Sequence, residues 1–530
     1  MKKNFLLIIL IFESMFLFSQ EIIEIQDVST TISGTEQQLE ENSLPDFKDI
    51  LPVAEELLPE LENQLPNVES EQNVELYSDE NSDDFTYFEG KIGGGFPSLF
   101  MGDFALSRSE KNNYFNFDFF HETINGFGLQ ESNKGFFRNN TNLKVDGTIN
   151  FNQVFCLDFL GDYTNHQFGL QNLSPVFYST NLQQGKVGIN LDFTCSDNLQ
   201  LYGNIASVFS SWYASYVPSQ ENIDLKSDIF RFNFSPRLGI AGNAGIFTCY
   251  FEGGYDLFSS KGTVDSMLHR GDLLYYMDFS FGNIKLTSDM GLVFVNKDIF
   301  VPFSIGFDFS KIVEISLLGG MRSFSENVFY LEQNPIIYND IQVSEQTQWF
   351  ATFDFMFPLG EFCQNNINLD FSMPTGENNL LLPDYSTLNK ETGLYGFSEF
   401  NLPILTSEYS ILFYFEKSQI DLSWNAWWLE LPENLGIAPH EVSLLYSFVP
   451  TKNNWGFSVW SSMNFGGNRD ILGDIIPDAG LSFYVRSAKS FKFSFELNDM
   501  IKLFTGTQRT LYGSYVKNSP SASIFVSFNL

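Results

Sequence analysis

The chain has 530 residues, 43% of them hydrophobic and 17% aromatic, with 59 Phe, 22 Tyr and 7 Trp. Its mean hydropathy is nevertheless only −0.09, the balance expected of strands that are apolar on one face and polar on the other. The net charge of −36, from 29 basic against 65 acidic residues, excludes a nucleic-acid binder, which needs Lys and Arg clusters to neutralise phosphate.

Residues 1–19 read as a secretion signal. Lys2 and Lys3 form a positive start, Phe5 to Phe18 a mostly apolar run too short to span a bilayer, and Leu17-Phe18-Ser19 a cleavage site before Gln20. No later stretch supplies about 18 consecutive apolar residues, so a membrane-embedded chain must cross as strands.

Residues 20–84 read as a disordered acidic segment on the periplasmic side. Between Glu21 and Asp84 there are 19 acidic residues and one Lys, net −18, with too few apolar groups to offset the entropy of ordering. Leu-Pro recurs every seven residues, at Leu44, Leu51, Leu58 and Leu65. Proline in each repeat rules out a long helix, so the repeat is a stiff charged spacer or a docking motif for a periplasmic partner. Glu21-Ile22-Ile23-Glu24-Ile25 is either tail sequence or an edge strand for such a partner.

From Phe85 to Leu530 the chain is a succession of alternating runs. Phe115, Phe117 and Phe119 interleave with Asn116 and Asp118; Leu143 and Val145 with Lys144 and Asp146; Val187, Ile189, Leu191 and Phe193 with Asn190 and Asp192. Phe230 and Phe232 flank Arg231, Phe307 and Phe309 flank Asp308, and Phe491 to Leu497 interleave with Lys492 and Glu496. The period of two over more than 400 residues, without linkers, predicts an all-β fold: a transmembrane antiparallel up-and-down β-barrel. About 20 residues per strand and connection gives about 22 strands, with a range of 20–24. Long polar connections are expected near 122–142, 163–184, 211–226, 259–271, 324–345 and 373–390; after residue 400 the alternation of long and short connections is lost. Gly93-Gly94-Gly95 and Gly319-Gly320 read as bulges or bends.

The polar face would line a lumen through Asp118, Asp146, Asp192, Arg231, Asp308, Asp354, Lys492 and Glu496, where acids outnumber bases and favour cations. Trp212, Tyr213, Trp427, Trp428 and Trp455 are placed in the aromatic girdles at the membrane boundaries. Ile524, Val526, Phe528 and Leu530 alternate to the carboxyl terminus as a closing strand facing lipid.

Cys156, Cys195, Cys249 and Cys363 are too scattered for a metal or redox motif and read as small apolar strand residues. The four His form no H-E-x-x-H, and neither G-x-S-x-G nor a phosphate loop is present. No catalytic residues, cofactor or metal are therefore expected.

The segments Phe491–Ile501, Leu511–Tyr515 and Ala522–Leu530 together resemble the last strands of TonB-dependent receptor barrels. The pattern there is a strand ending in Asn-Asp, a Gly-Tyr-containing strand and an aromatic closing strand. Glu21–Ile25 is similar to the short TonB-contacting box of the same receptors. The resemblance implies an outer-membrane location, outer-membrane lipid and the barrel-assembly machinery as partners, and passage of a solute. It departs in one respect: those receptors carry a folded plug of about 130–150 residues before the barrel, and the acidic segment cannot supply one. The expected function is passage of small solutes across the outer membrane, porin-like or receptor-like. The alternative is a surface-exposed adhesin or structural barrel binding ligands through its long loops.

Overall fold

The computed structural model describes residues 85–529 apart from 111–112, 127–129, 153, 197, 218–227, 263–264, 326–335, 338–344, 376–379, 430, 451–453, 473–474, 476, 489, 502–509, 512–513 and 517–520. The signal, the acidic segment, the Leu-Pro repeats and Leu530 lie outside the described residues.

The alternating runs form strands β1 (Phe85–Phe96), β2 (Leu99–Glu110), β3 (Asn113–Asn125), β4 (Phe137–Asn150), β5 (Phe155–Gly169), β6 (Phe177–Ser196), β7 (Leu199–Tyr216), β8 (Asp228–Ala244), β9 (Phe247–Lys261), β10 (Ser266–Phe281) and β11 (Ile284–Val295). A short β12 (Asp298–Phe300) precedes β13 (Phe303–Ser310), β14 (Glu314–Ser325), β15 (Glu345–Pro358) and β16 (Cys363–Pro374). Next come β17 (Leu380–Asp384), β18 (Gly396–Phe400), β19 (Ile404–Tyr414), β20 (Ser418–Trp427), β21 (His440–Phe448), β22 (Trp455–Phe465), β23 (Asp478–Ala488) and β24 (Phe491–Asn498). The chain finishes with β25 (Thr510–Leu511), β26 (Tyr515–Val516) and β27 (Ser521–Asn529).

Twenty-two of these pair antiparallel, each with its neighbours, and β27 returns to pair with β1 from Glu89↔Asn529 to Phe96↔Ala522. Closure leaves no sheet edge, the condition for strands to sit in a bilayer. The remaining five are small additions: β12 extends the end of β11, and β17–β18 and β25–β26 are hairpins within connections. No helix among the described residues is long and apolar enough to cross a membrane.

Both ends of the barrel segment lie at the same mouth, because β1 and β27 run antiparallel. The connections on that side are short throughout; the longest, between β21 and β22, spans residues 449–454. Long connections lie on the opposite side, with two running over 375–403 and 499–520. The alternation expected early in the chain therefore holds to the end. The hairpin β17–β18 lies inside one of these long connections and adds no strand to the wall. The connection expected at 259–271 shrinks to residues 262–265, since β9 and β10 continue to Lys261 and from Ser266. Leu511–Tyr515 is likewise not a wall strand: β24 pairs directly with β27.

The glycine runs correct a second expectation. Register continues without a break through Gly93–Gly95 and Gly319–Gly320. At Gly93 an added Cβ would collide with the Phe525 ring and the Ile524 carbonyl oxygen. These glycines admit close neighbours on the adjacent strand rather than bending their own.

Candidate functional site

Residues paired across an antiparallel ladder point to the same face. Following the register round the ring from Asp118 through Lys144, Asp162 and Lys186 puts all eight sequence-assigned polar residues, Asp118, Asp146, Asp192, Arg231, Asp308, Asp354, Lys492 and Glu496, on one face. The other face carries the large exposed apolar side chains, among them Leu238, Ile305, Leu317, Phe493 and Ile524. It is the outer, lipid-type face. Ile524, Val526 and Phe528 lie on it, opposite Gly94, Ile92 and Gly90 of β1.

The aromatic assignments divide. Tyr213, Trp428 and Trp455 fall on the outer face. Trp428 stacks edge-on to Trp424 at 5.6 Å at the long-loop end, and Trp455 lies 5.3 Å from Phe448 near the short turns. Trp212 and Trp427 are corrections. Trp427 pairs with Thr406, on the face of Glu408, so it points inward. Trp212 is 1% exposed and sits in an interior apolar core, not at a lipid boundary.

The inner wall has two unlike regions. On one, strands β15, β16, β19, β20, β21 and β22 contain no Lys or Arg. A single row crosses them as Asp354, Asn368, Glu408, Asn425, Glu441 and Asn464, continuing back to Ser316 and Asp308. Amides and hydroxyls support the acids: Ser316 donates to Asp308 at 2.6 Å and Asn368 to Asp354 at 2.5 Å. Asp370 and Asp421 add charge beside the row.

Strands β8, β9 and β10 carry ion pairs that the sequence did not single out, and these reach Glu345 at the start of β15. The Arg237 guanidinium donates to both oxygens of Asp256, at 2.9 and 2.7 Å, and to Asp272. Arg270 donates from Nη1 to Asp256 at 2.8 Å and from Nε to Glu345 at 3.3 Å, and the Ser323 hydroxyl donates to Glu345 at 2.6 Å. All of these charged groups are buried. Sequence separations of 14 to 75 residues hide the network; only the register reveals it. Gly254 makes room for it, since a Cβ there would collide with the Arg237 guanidinium.

Over the long-loop mouth lies one apolar core. Leu170 and Val176 come from the β5–β6 connection, Trp212 and Ile229 from the ends of β7 and β8, and Ile336 and Ile337 from the β14–β15 connection. Tyr385, Leu394 and Tyr395 come from the β16–β19 connection, Ile471 from β22–β23 and Tyr515 from β24–β27. Polar links tie the pieces together. The Ser174 hydroxyl donates to the Glu391 carbonyl at 2.8 Å. Gln171 donates to the Val516 carbonyl at 3.0 Å and accepts from its N–H at 2.7 Å. Tyr395 N–H donates to the Ile336 carbonyl at 3.0 Å, and the Tyr515 hydroxyl donates to the Gly393 carbonyl. Hairpin β17–β18 is pinned through Asp384, which accepts from the Ser386 hydroxyl at 2.6 Å and the Ser398 hydroxyl at 2.5 Å. Burial pushes the Asp384 carboxyl up, but these donors together with Asn434 outweigh it and hold the group below the usual carboxylate range.

Among the described residues no group of three or more His, Cys, Asp or Glu is placed to hold a metal ion, and all four cysteines are free.

Fold and interior define a transmembrane 22-strand barrel with an acid-rich lumen and a mouth covered by loops. Solved structures similar to this fold include proteins named as transporters and receptors. The copper transporter OprC matches with a TM-score of 0.64 at 9% identity, over 85% of this chain and 83% of that one. The FrpB iron transporter from Neisseria meningitidis matches at 0.62 and 7%, over 84% and 81%. A mutant of the ferric enterobactin receptor PfeA from Pseudomonas aeruginosa matches at 0.60 and 8%, over 84% and 80%. The barrel is thus like those of TonB-dependent receptors, and at these identities the likeness is one of fold. No protein-family model matches the chain, and no curated protein matches its sequence.

Proposed function

We propose that the protein is an outer-membrane barrel that passes small solutes, with a preference for cations and neutral molecules over anions. The observation that carries the preference is the acidic wall: six successive barrel strands without one Lys or Arg, and Asp354, Asp370, Glu408, Asp421 and Glu441 on their inner face. Fixed carboxylates along a confined path attract cations and repel anions. Support for transport itself comes from the fold, shared with proteins named as copper and iron transporters. In this reading the short-turn mouth, where the acidic segment joins, faces the periplasm, and the long loops face outward.

Swelling of proteoliposomes tests the proposal. With the loops trimmed by protease, solutes of similar size should enter in the order cationic, neutral, anionic. The triple change Asp370→Asn, Glu408→Gln and Asp421→Asn should flatten that order without abolishing entry. Entry faster for anions would reject the cation preference, and no entry even after the loops are trimmed by protease would reject transport. The second outcome would leave the adhesin or structural barrel as the reading, with the tyrosine-rich loop cap as its exposed face.

A further inference from the structure

We infer that the outer loops, acting as one interlocked unit, are the seal of this barrel, and that the acidic N-terminal segment is not. The inference rests on the transport reading but concerns a different element, the state of the mouth. Of the 22 wall strands, β5 and β6 are fifth and sixth, whereas β16 and β19 are fifteenth and sixteenth, close to diametrically opposite. Segments rooted at opposite points of a ring can touch only across its opening. Yet Ser174, between β5 and β6, hydrogen-bonds Glu391, between β16 and β19, and Gln171 makes two hydrogen bonds to Val516, between β24 and β27.

Apolar packing makes this crossing a unit rather than a chance contact. Tyr395 lies 5.3 Å from Tyr385 and 6.2 Å from Tyr515, and Tyr515 lies 5.6 Å from Phe168. Leu170 and Tyr515 are fully buried, and Ile336, Ile337, Leu394 and Tyr395 are almost so. Core aromatics held this way move together or not at all, because each loses its packing if a neighbour leaves. The segment before the barrel has a different composition, net −18 over Glu21 to Asp84, and would face like charge on the acidic wall. A solute must therefore wait on the loops.

Single-channel conductance of the full chain in planar bilayers tests this, with three proteins compared. Wild type should be closed or pass only small, rare openings. Tyr395→Ala combined with Tyr515→Ala should raise conductance several-fold, and limited proteolysis should confirm that residues 384–395 have become cleavable. Deletion of residues 21–84 should leave conductance as in wild type. Wild type already as conductive as the double variant would overturn the inference while leaving transport intact. So would opening by deletion of residues 21–84 but not by the double variant. No current from a protein whose loops protease has released overturns it as well, and that outcome alone takes the transport reading with it.

Discussion

Arg237 stands between Asp256 and Asp272, and all three are more than nine-tenths buried in the inner wall. A buried charge is tolerated only when paired, so removing the guanidinium leaves two carboxylates to share the Arg270 guanidinium. Arg237→Ala should cost about 3–5 kcal/mol, read as an earlier urea midpoint for the loss of heat-modifiable migration. Gly254→Ala should be nearly as damaging, whereas Gly253→Ala, whose Cβ would meet Leu273 at 3.4 Å, should be mild. Asp384 gives a pH dependence with a definite sign. Its carboxyl is depressed in the folded cap, so its contribution is complete above the unfolded value near ~3.9 and is lost as pH falls below that through the folded value. Protease sensitivity of residues 384–395 should therefore be flat from neutral pH down to about 4 and rise below it; Asp384→Asn should abolish that rise. Residue-scale features were the least legible from sequence. Trp212 and Tyr213 are adjacent and look alike as boundary aromatics, yet one is buried under the loops and the other is on the outer face, a difference set by register alone.

Strands were legible because a barrel strand writes its two environments into a period of two. Phe491, Phe493 and Phe495 point outward and Lys492, Ser494 and Glu496 inward, as their spacing indicates. Elements that broke the period rule were those outside the wall. The β17–β18 and β25–β26 hairpins are short, β17 opens on three consecutive leucines, and each hairpin pairs strand to strand only within itself. The closing seam is the element whose geometry has the clearest consequence. β1 offers Gly90, Gly93, Gly94 and Gly95 to β27, and Phe528 fills the space above Gly90, 5.8 Å from Phe88. Gly93→Val would push a branched side chain into the Phe525 ring and the Ile524 carbonyl oxygen. Overpacking of this kind costs about 1–3 kcal/mol even in an adaptable core, and here it falls on the pairing that closes the ring. The expected result is a sharp fall in heat-modifiable, membrane-inserted protein, with Gly161→Val, on β5 where an added Cβ meets only the Val145 carbonyl oxygen at 3.9 Å, as the milder comparison. Normal assembly of Gly93→Val would show that the seam is looser than its register implies.

At the scale of the whole molecule, charge is sorted by place. The tract before the barrel is acidic, six successive wall strands carry acids and no Lys or Arg, and another part of the wall is held by arginine–carboxylate pairs. That sorting matches a path for cations and neutral solutes closed at one end by loops. The strand number and the closed ring were readable from length and alternation; the cap was not, since its core is assembled from single residues of loops hundreds of positions apart. The central claim is that the acidic wall is the conducting surface. The most direct measurement is the reversal potential across a tenfold potassium chloride gradient, taken on the barrel with its loops opened. The account predicts a potential of the sign set by potassium, reduced by Asp370→Asn, Glu408→Gln and Asp421→Asn together. A chloride-selective potential, or one unmoved by neutralising those three carboxylates, would contradict it.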